Sequence, residues 1–472
     1  MKRIFRLTAL ATSGLVLAGC ASVNFNQAVQ DINDSTGTFT QGKLELSQSE
    51  QHAQARAKLS SQLLAQPLGR DEAVQLALAN SPAVQTLLAQ SWADMAQANQ
   101  TGRIANPVFT FERIRFANEL ELGRLLSFGL LDLLTLPRRL EISKDQMAQA
   151  RVQLSANVIE QVTQVRQTWV RAVAARQTLE YAQQVNRSAQ ASAELARRMQ
   201  QVGNFTRLQR ARQQSFYADS AAQLASSQHA STAAKEELIR LLGLSDAQAA
   251  QLKLPERLPN LPQQPHQGGM ISAAATGQRL DVQMARSQLQ MAGKSQGLNL
   301  LTSLVDVELG VRRDTVFDNA AGTSTPRKGY ELGIRLPIFD WGTAKRDAMN
   351  AQSLAAANRY ESAVRGASSQ LRESYSAYRT AYDVARHYRD EIVPLRRTIA
   401  EENQLRYNGM LIGVFELLAD SREQISSITT ALNAQQQFWL ADAALAASLT
   451  GKPTSTLMAA PAGNGGGQAA GH

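Results

Sequence analysis

The only thiol among 472 residues is Cys20, and its neighbours define the chemistry open to it. The basic residues Lys2, Arg3 and Arg6 precede a mostly apolar stretch from Leu7 to Gly19, which ends in Leu17-Ala18-Gly19-Cys20. That stretch is too short to cross a bilayer and closes on small residues, as a cleavable secretory signal does. The four-residue string resembles a bacterial lipobox, whose thiol is diacylated while the preceding peptide is removed. The next residue is Ala21 and not Asp, which in lipoproteins of this kind implies sorting to the outer membrane. Acyl chains supply about 0.8 kcal/mol per buried CH2, so a multiply acylated Cys20 would be a firm tether. A lone cysteine also excludes a disulfide scaffold and a zinc site of the Cys-cluster type.

Other reactive side chains form no catalytic constellation. The histidines His52, His229, His266, His387 and His472 lack ligand spacing, and no phosphate loop, nucleophile elbow or paired-carboxylate motif occurs. The expectation is therefore no enzyme, no cofactor and no metal. Asn204-Phe205-Thr206 matches a glycosylation acceptor, a chance match in a bacterial lipoprotein. Removal of residues 1–19 takes away Lys2, Arg3 and Arg6 and lowers the net charge from +9 to +6. The remaining charges alternate in sign without interleaved aromatics, which fits a solvated helical surface and not a nucleic-acid site.

The elements that carry these residues are mainly helical. Aromatics make up 6%, mean hydropathy is −0.27, and Ala, Gln, Leu, Ser and Arg dominate. This composition suits long helices, and the lack of an 18-residue apolar run beyond the N-terminus excludes a helical transmembrane bundle. The chain also repeats. Val202-Gly203-Asn204-Phe205-Thr206 is followed 206 residues later by Asn408-Gly409-Met410-Leu411-Ile412. Val165, Trp169, Ala172 and Leu179 match Leu371, Tyr375, Tyr378 and Ala385 at the same offset, each set with coiled-coil spacing. Both halves read helix, strand, strand, very long helix, Gly turn, helix.

In the first half, Asp71 to Ile104 reads as one helix, ended by Asn106-Pro107. Val108 to Phe116 and Leu120 to Leu136 read as strands about an Ala117-Asn118 turn. Arg138 to Gln201 runs without Gly or Pro, a rod of about 95 Å at 1.5 Å per residue. After Gly203, Arg207 to Leu242 returns, and a Pro-rich link from Pro255 to Pro265 joins the halves. In the second half, Val305, Val307, Leu309 and Val311 alternate with Asp306, Glu308, Gly310 and Arg312. Tyr330, Leu332, Ile334, Leu336 and Ile338 alternate with Glu331, Gly333, Arg335, Pro337 and Phe339. A membrane barrel with lipid outside and water inside uses this alternation. So does a half-buried soluble sheet, which the pattern alone favours. Four strands cannot close a barrel, whereas twelve, four from each of three chains, would leave no edge.

With lipobox, repeat, strands and long helices together, residues 70–452 resemble the TolC family of outer-membrane efflux channels, lipoprotein subfamily. The most specific matches are Leu336-Pro337-Ile338-Phe339-Asp340-Trp341-Gly342, Leu131-Asp132-Leu133-Leu134-Thr135-Leu136-Pro137, and the two Gly turns leading into Thr206-Arg207-Leu208 and Phe415-Glu416-Leu417-Leu418. The resemblance implies a mainly α fold with a small membrane β-barrel portion: a long helical coiled-coil tunnel and a 12-stranded barrel shared by a homotrimer. It implies a passive, gated exit duct in the outer membrane, extending into the periplasm and served by a periplasmic adaptor and an inner-membrane pump. The adaptor would meet the tips, Val202, Gly203, Asn204, Phe205 and Thr206 with Asn408, Gly409, Met410, Leu411 and Ile412. Both tip glycines are expected in the left-handed conformation that reverses a helix.

Family channels place aspartates just after the second tip, but here the registered positions carry Phe415 and Leu418. Glu416 and Asp420, at i and i+4, share a face and would gather six acids in a trimer, although a plain solvated face is the favoured reading. Arg207, Arg210 and Arg212 make the matching stretch basic, so Arg–carboxylate pairs among Arg207, Arg210, Glu416 and Asp420 are the candidate periplasmic gate. The expected partition is signal peptide 1–19, anchored segment 20–66, first repeat 67–252, linker 253–270, second repeat 271–451 and disordered tail 452–472. Residues 21–66 are weakly patterned, and in the family such a segment wraps the tunnel. The alternative from another class is a periplasmic coiled-coil adaptor or scaffold lipoprotein, which should hold one hairpin flanked by compact β-domains where this sequence has two hairpins and two strand pairs. Replacing the thiol tests the anchor: Cys20→Ser should abolish acylation and leave the signal uncut, seen as unprocessed, acyl-free intact mass.

Overall fold

A computed structural model describes residues 24–267, 277–302, 306–335 and 338–452. Cys20, Val305, Leu336, Pro337 and the tail from residue 453 lie outside the described residues, as does most of the second repeat's first stretch before Gly277. The helices are α1 Phe25–Thr40, α2 Glu50–Leu64, α3 Arg70–Asn80, α4 Pro82–Thr101, α5 Leu130–Gln201, α6 Arg207–Leu242, α7 Asp246–Ala249, α8 Leu280–Thr302, α9 Thr343–His387, α10 Val393–Asn408 and α11 Val414–Thr450. The strands are β1 Val108–Phe116, β2 Glu119–Gly129, β3 Asp306–Asp318 and β4 Thr323–Arg335. The chain divides into two compact units, one of Met1–Asp31, Leu88–Leu154 and Gln283–Ser362, the other of Ile32–Leu87, Ser155–Val282 and Ala363–His472.

The first unit holds one antiparallel sheet in the order β1-β2-β3-β4. Two-residue and longer turns close its hairpins, with Ala117 at φ 50° and Gly322 at φ 63°. One face carries Glu112, Gly123, Arg312 and Asp314: Arg312 donates to Asp314 at 2.8 Å and to Glu112 at 3.0 Å, and a Cβ on Gly123 would press against all three side chains. The opposite face carries Phe109, Leu126, Val311, Tyr330, Leu332 and Ile334, all exposed. β1 and β4 are edges, each with a row of unpaired backbone groups.

Several boundaries differ from the sequence reading. β2 ends at Gly129 and not at Leu136, and α5 begins at Leu130, so Pro137 lies inside a helix of 72 residues. Proline there frees a carbonyl one turn back. Arg139 braces the turn, bonding Asp132 at 2.9 Å, the Thr101 carbonyl at 3.0 Å and the Arg103 carbonyl at 2.9 Å. The helix expected over Asp71 to Ile104 is two, because Ser81 is extended (ψ 123°) before Pro82. Ile338 and Phe339 lie past the end of β4, in a bend. Among the described residues no helix is long and apolar enough to cross a membrane.

The second unit is helical, and the matched seam residues do pack. Val165, Trp169, Ala172, Leu371, Tyr378 and Ala385 are buried, while Leu179 and Tyr375 are half-buried. Trp169 donates its indole N–H to the Leu68 carbonyl at 2.8 Å, so a large apolar body is buried without an orphaned donor. Tyr378, Tyr382 and Phe438 form an aromatic cluster that pins the Pro-rich link: the Tyr382 hydroxyl reaches the Pro262 and Gln263 carbonyls at 3.0 Å, and Trp439 reaches Pro259 at 3.0 Å. Nearby, Asp442 lies 3.4 Å from Arg70 and 3.6 Å from His266, and burial pushes its carboxyl up from the ordinary range against the pull of Arg70. A turn of π-helix, Tyr388–Ile392, precedes Pro394 and joins α9 to α10, its wider turn accommodating the carbonyl left without a donor because proline has no N–H.

The N-terminal segment is more ordered than its weak pattern suggested. Asn33 and Leu44 exchange two hydrogen bonds (3.0 and 2.8 Å), and Gln85 bonds both Glu45 and Ser47 at 2.9 Å. Phe39 receives the Arg166 guanidinium on its ring at 4.8 Å and on its carbonyl at 2.6 Å. At the end of α6, Gly243 adopts φ 67° against α3, where Asn80 bonds its carbonyl at 2.8 Å. A Cβ there would lie 2.4 Å from Pro82 and 2.7 Å from the Ser81 backbone. Gly243→Ala should therefore cost about 3 kcal/mol, visible as a lower melting temperature.

Candidate functional site: the helix-reversal tips

The two Gly turns lie in the helical unit, and each is built from backbone hydrogen bonds. At the first, Gly203 takes φ 81°, Asn204 N–H bonds the Met199 carbonyl at 2.9 Å, and Gly203 N–H bonds Gln200 at 3.1 Å. This paired reversal closes the carbonyls that α5 would leave open. α6 then starts on a capping box: Thr206 accepts from the Gln209 N–H at 3.2 Å while Gln209 Oε1 accepts from the Thr206 N–H at 2.8 Å.

The second tip makes the same reversal one residue later. Met410 N–H bonds Tyr407 at 2.9 Å and Leu411 N–H bonds Arg406 at 2.8 Å. The left-handed residue is Met410 (φ 59°), while Gly409 sits at φ −80°, which corrects the expectation that both glycines are left-handed. The fixed sequence offset hid this shift, since the two tips align by glycine but reverse at adjacent positions. α11 has Gly413 at its cap with no side-chain partner, and Glu416 in the first turn faces the positive end of the helix.

The ten tip residues divide into two groups. Val202 (71% exposed), Met410 (93%) and Leu411 (74%) project apolar side chains into solvent, and Gly203, Asn204, Thr206, Asn408 and Gly409 are exposed. Phe205 (8%) and Ile412 (9%) are buried, and Phe205 packs with Ala196 and Val414 against Met199, Tyr407 and Leu418. Phe205 thus binds the first tip to the second and presents no side chain to a partner.

The four gate candidates do not pair with one another within the chain. Arg210 donates to Gln200 at 2.8 Å, and Asp420 accepts from Asn403 on α10. Arg207 and Glu416 are exposed, with no ion pair among the described residues. The cross-hairpin tie is instead Arg422, which sequence reasoning missed. Its guanidinium bonds Gln213 at 3.0 Å and the Arg212 carbonyl at 3.3 Å and lies 4.4 Å from the Phe216 ring centroid, joining α11 to α6. Burial lowers its pKa, partly countered by Asp219. On α5, Arg197 and Arg198 hydrogen-bond Glu194 and pull its carboxyl down to about 2, leaving a fixed charge knot near the first tip. No group of three or more His, Cys, Asp or Glu gathers to hold a metal among the described residues.

No sequence-family profile and no curated protein matches the chain. Solved structures do match. The outer membrane protein VceC of Vibrio cholerae superposes with TM-score 0.67 at 15% identity, over 81% of this chain and 96% of its own. The CmeC outer membrane channel of Campylobacter jejuni gives 0.66 at 14%, over 87% and 88%. The open MtrE outer membrane channel of Neisseria gonorrhoeae gives 0.63 at 19%, over 82% and 90%.

The differing φ values separate the two tip glycines experimentally. Gly203→Ala should destabilise the first tip by about 1 kcal/mol, because only the backbone angle opposes it and nothing lies within 4 Å of the new Cβ. Gly409→Ala should be neutral or slightly stabilising, and Met410→Gly should relieve up to about 1 kcal/mol. Amide hydrogen exchange over 199–206 and 405–412 reads each change locally.

Proposed function

This chain folds as those outer-membrane channels do, and we propose that it works as one. In this reading it is an outer-membrane lipoprotein of the TolC family, anchored through Cys20. Three copies assemble into the exit duct of a tripartite efflux or secretion system. The observation that carries the reading is the four-stranded sheet: apolar on one face, charged and glycine-rich on the other, and open at both edges. Such a sheet suits neither water nor lipid as a single copy, and three copies joined edge to edge satisfy both faces and every backbone group.

The chain supplies a conduit and no chemical step, so the driving energy belongs to a pump in the inner membrane. The exposed Val202, Met410 and Leu411 at the tips fit the apolar contact a periplasmic adaptor would make. Arg207 and Glu416, without an ion pair among the described residues, are available to pair between neighbouring copies around the mouth. Arg422 would hold the two hairpins of each copy together, which favours a closed mouth.

Detergent mass together with single-channel conductance in planar bilayers tests the reading. The expected result is a mass of three acylated chains, discrete conductance steps, and conductance raised several-fold by Glu416→Ala, Arg207→Ala or Arg422→Ala. A monomer that never conducts would overturn it.

A further inference from the structure

One register row on the apolar face of the sheet is cationic. Phe111 pairs with Arg124, and Arg313 pairs with Lys328. Leu122 pairs with Thr315 and Leu125 with Arg312, which sets Arg124 beside Arg313 between them. Arg124, Arg313 and Lys328 therefore stand in line on three adjacent strands, about 4.8 Å apart. Arg113 and Arg115 follow on the same face of β1, nearer the hairpin turn. All five are exposed, and no carboxylate pairs with any of them among the described residues. The nearby acids Glu112 and Asp314 point to the other face and are held by Arg312.

Like charges directly opposite in a sheet destabilise it, so this row needs anions from outside the chain. Its position says which. Toward the helix-connected end, the β3–β4 rows below it are apolar, with Val311 beside Tyr330, Leu309 beside Leu332 and Val307 beside Ile334. The cations thus mark where the unbroken apolar rows of β3 and β4 stop, on the side of the hairpin turns; beyond them the rows are mixed, with Arg113 beside Leu122 and Phe317 beside Ser324. Lys328 to Arg335 covers about seven residues of β4, which is about 18 Å of height at the usual strand tilt. The exposed Ile338, Phe339 and Trp341 follow beyond Arg335, where an interfacial aromatic belt would lie.

We propose that this row binds the phosphates of a phosphorylated glycolipid of the lipid A type in the leaflet around the hairpin end. The proposal rests on the channel reading, which puts the helices in the periplasm and the hairpin turns at the outer surface. Guanidinium groups take phosphate oxygens in bidentate pairs and the Lys ammonium adds a point charge, so a headgroup with two phosphates is favoured over one with a single diffuse charge. Three copies of the chain would repeat the row around the barrel.

Native mass spectrometry of the full acylated protein in detergent tests it, with bisphosphoryl lipid A, dephosphorylated lipid A and phosphatidylglycerol as probes. Bisphosphoryl lipid A should bind at least about tenfold more tightly than either other lipid, and Arg124→Gln/Arg313→Gln/Lys328→Gln should lose that preference. Arg327→Gln, on the same strand but the opposite face, should keep it. Equal binding of the three lipids, or a triple variant that binds as the parent does, overturns the proposal. Conductance of the same preparations in phosphatidylglycerol bilayers separates the two failures. If the parent conducts but shows no lipid preference, only the glycolipid site falls; a parent that never conducts removes the channel reading and the site with it.

Discussion

Every strand edge must be closed, and this chain closes only the inner ones. β2 and β3 lie paired between neighbours on both sides, but β1 and β4 each expose a row of donors and acceptors among the described residues. In hydrocarbon an unsatisfied backbone group costs several kcal/mol, so a sheet with an apolar outer face is usable only where those edges meet other edges. The same sheet turns Arg312, Glu112 and Asp314 to the other side, where a water-filled interior suits their ion pairs. The proposed assembly follows from that single requirement.

Far along those helices the requirement changes from pairing to reversal. A helix that turns back leaves carbonyls to satisfy, and both tips use the same pair of backbone bonds around a left-handed residue. Glycine does this without strain at 203, whereas Met410 does it with a side chain. Met410 also projects beside Leu411 as exposed apolar surface. Phe205 offsets the exposure by packing inward against Val414, and Arg422 ties the second hairpin to the first. The two tips are thus tied to each other within the chain.

Much of this was legible in residue order because its periodicity is strong. The 206-residue repeat, the aromatic seam and the alternation of β3 and β4 follow from spacing that any helix or strand must obey. β1 was less informative, since Phe109 and Phe111 share a face with Arg113 and Arg115 while Ile114 and Phe116 share one with Glu112. Proline misled twice in opposite ways: Pro137 is accommodated within α5 by Arg139, while Pro82 breaks a helix through the residue before it. The N-terminal helices escaped notice because their partners are remote, such as the Arg166 that caps Phe39. Arg422 was invisible for the same reason, because its partners Gln213 and Phe216 lie on another helix. The fold resembles known channels at 19% identity or less, so the pattern of constraints persists where residue identity does not.

The shared barrel is the central claim, and cross-linking between its edges tests it most directly. Cys20 is the only native thiol, so cysteines placed at Phe111 on β1 and, in turn, at Tyr330, Leu332 or Ile334 on β4 report on one edge pair alone. Oxidation in membranes should yield, for at least one pairing, a ladder of linked chains that stops at three. Cross-links absent at every pairing, or a ladder that runs on without stopping, would contradict a closed barrel built from three copies.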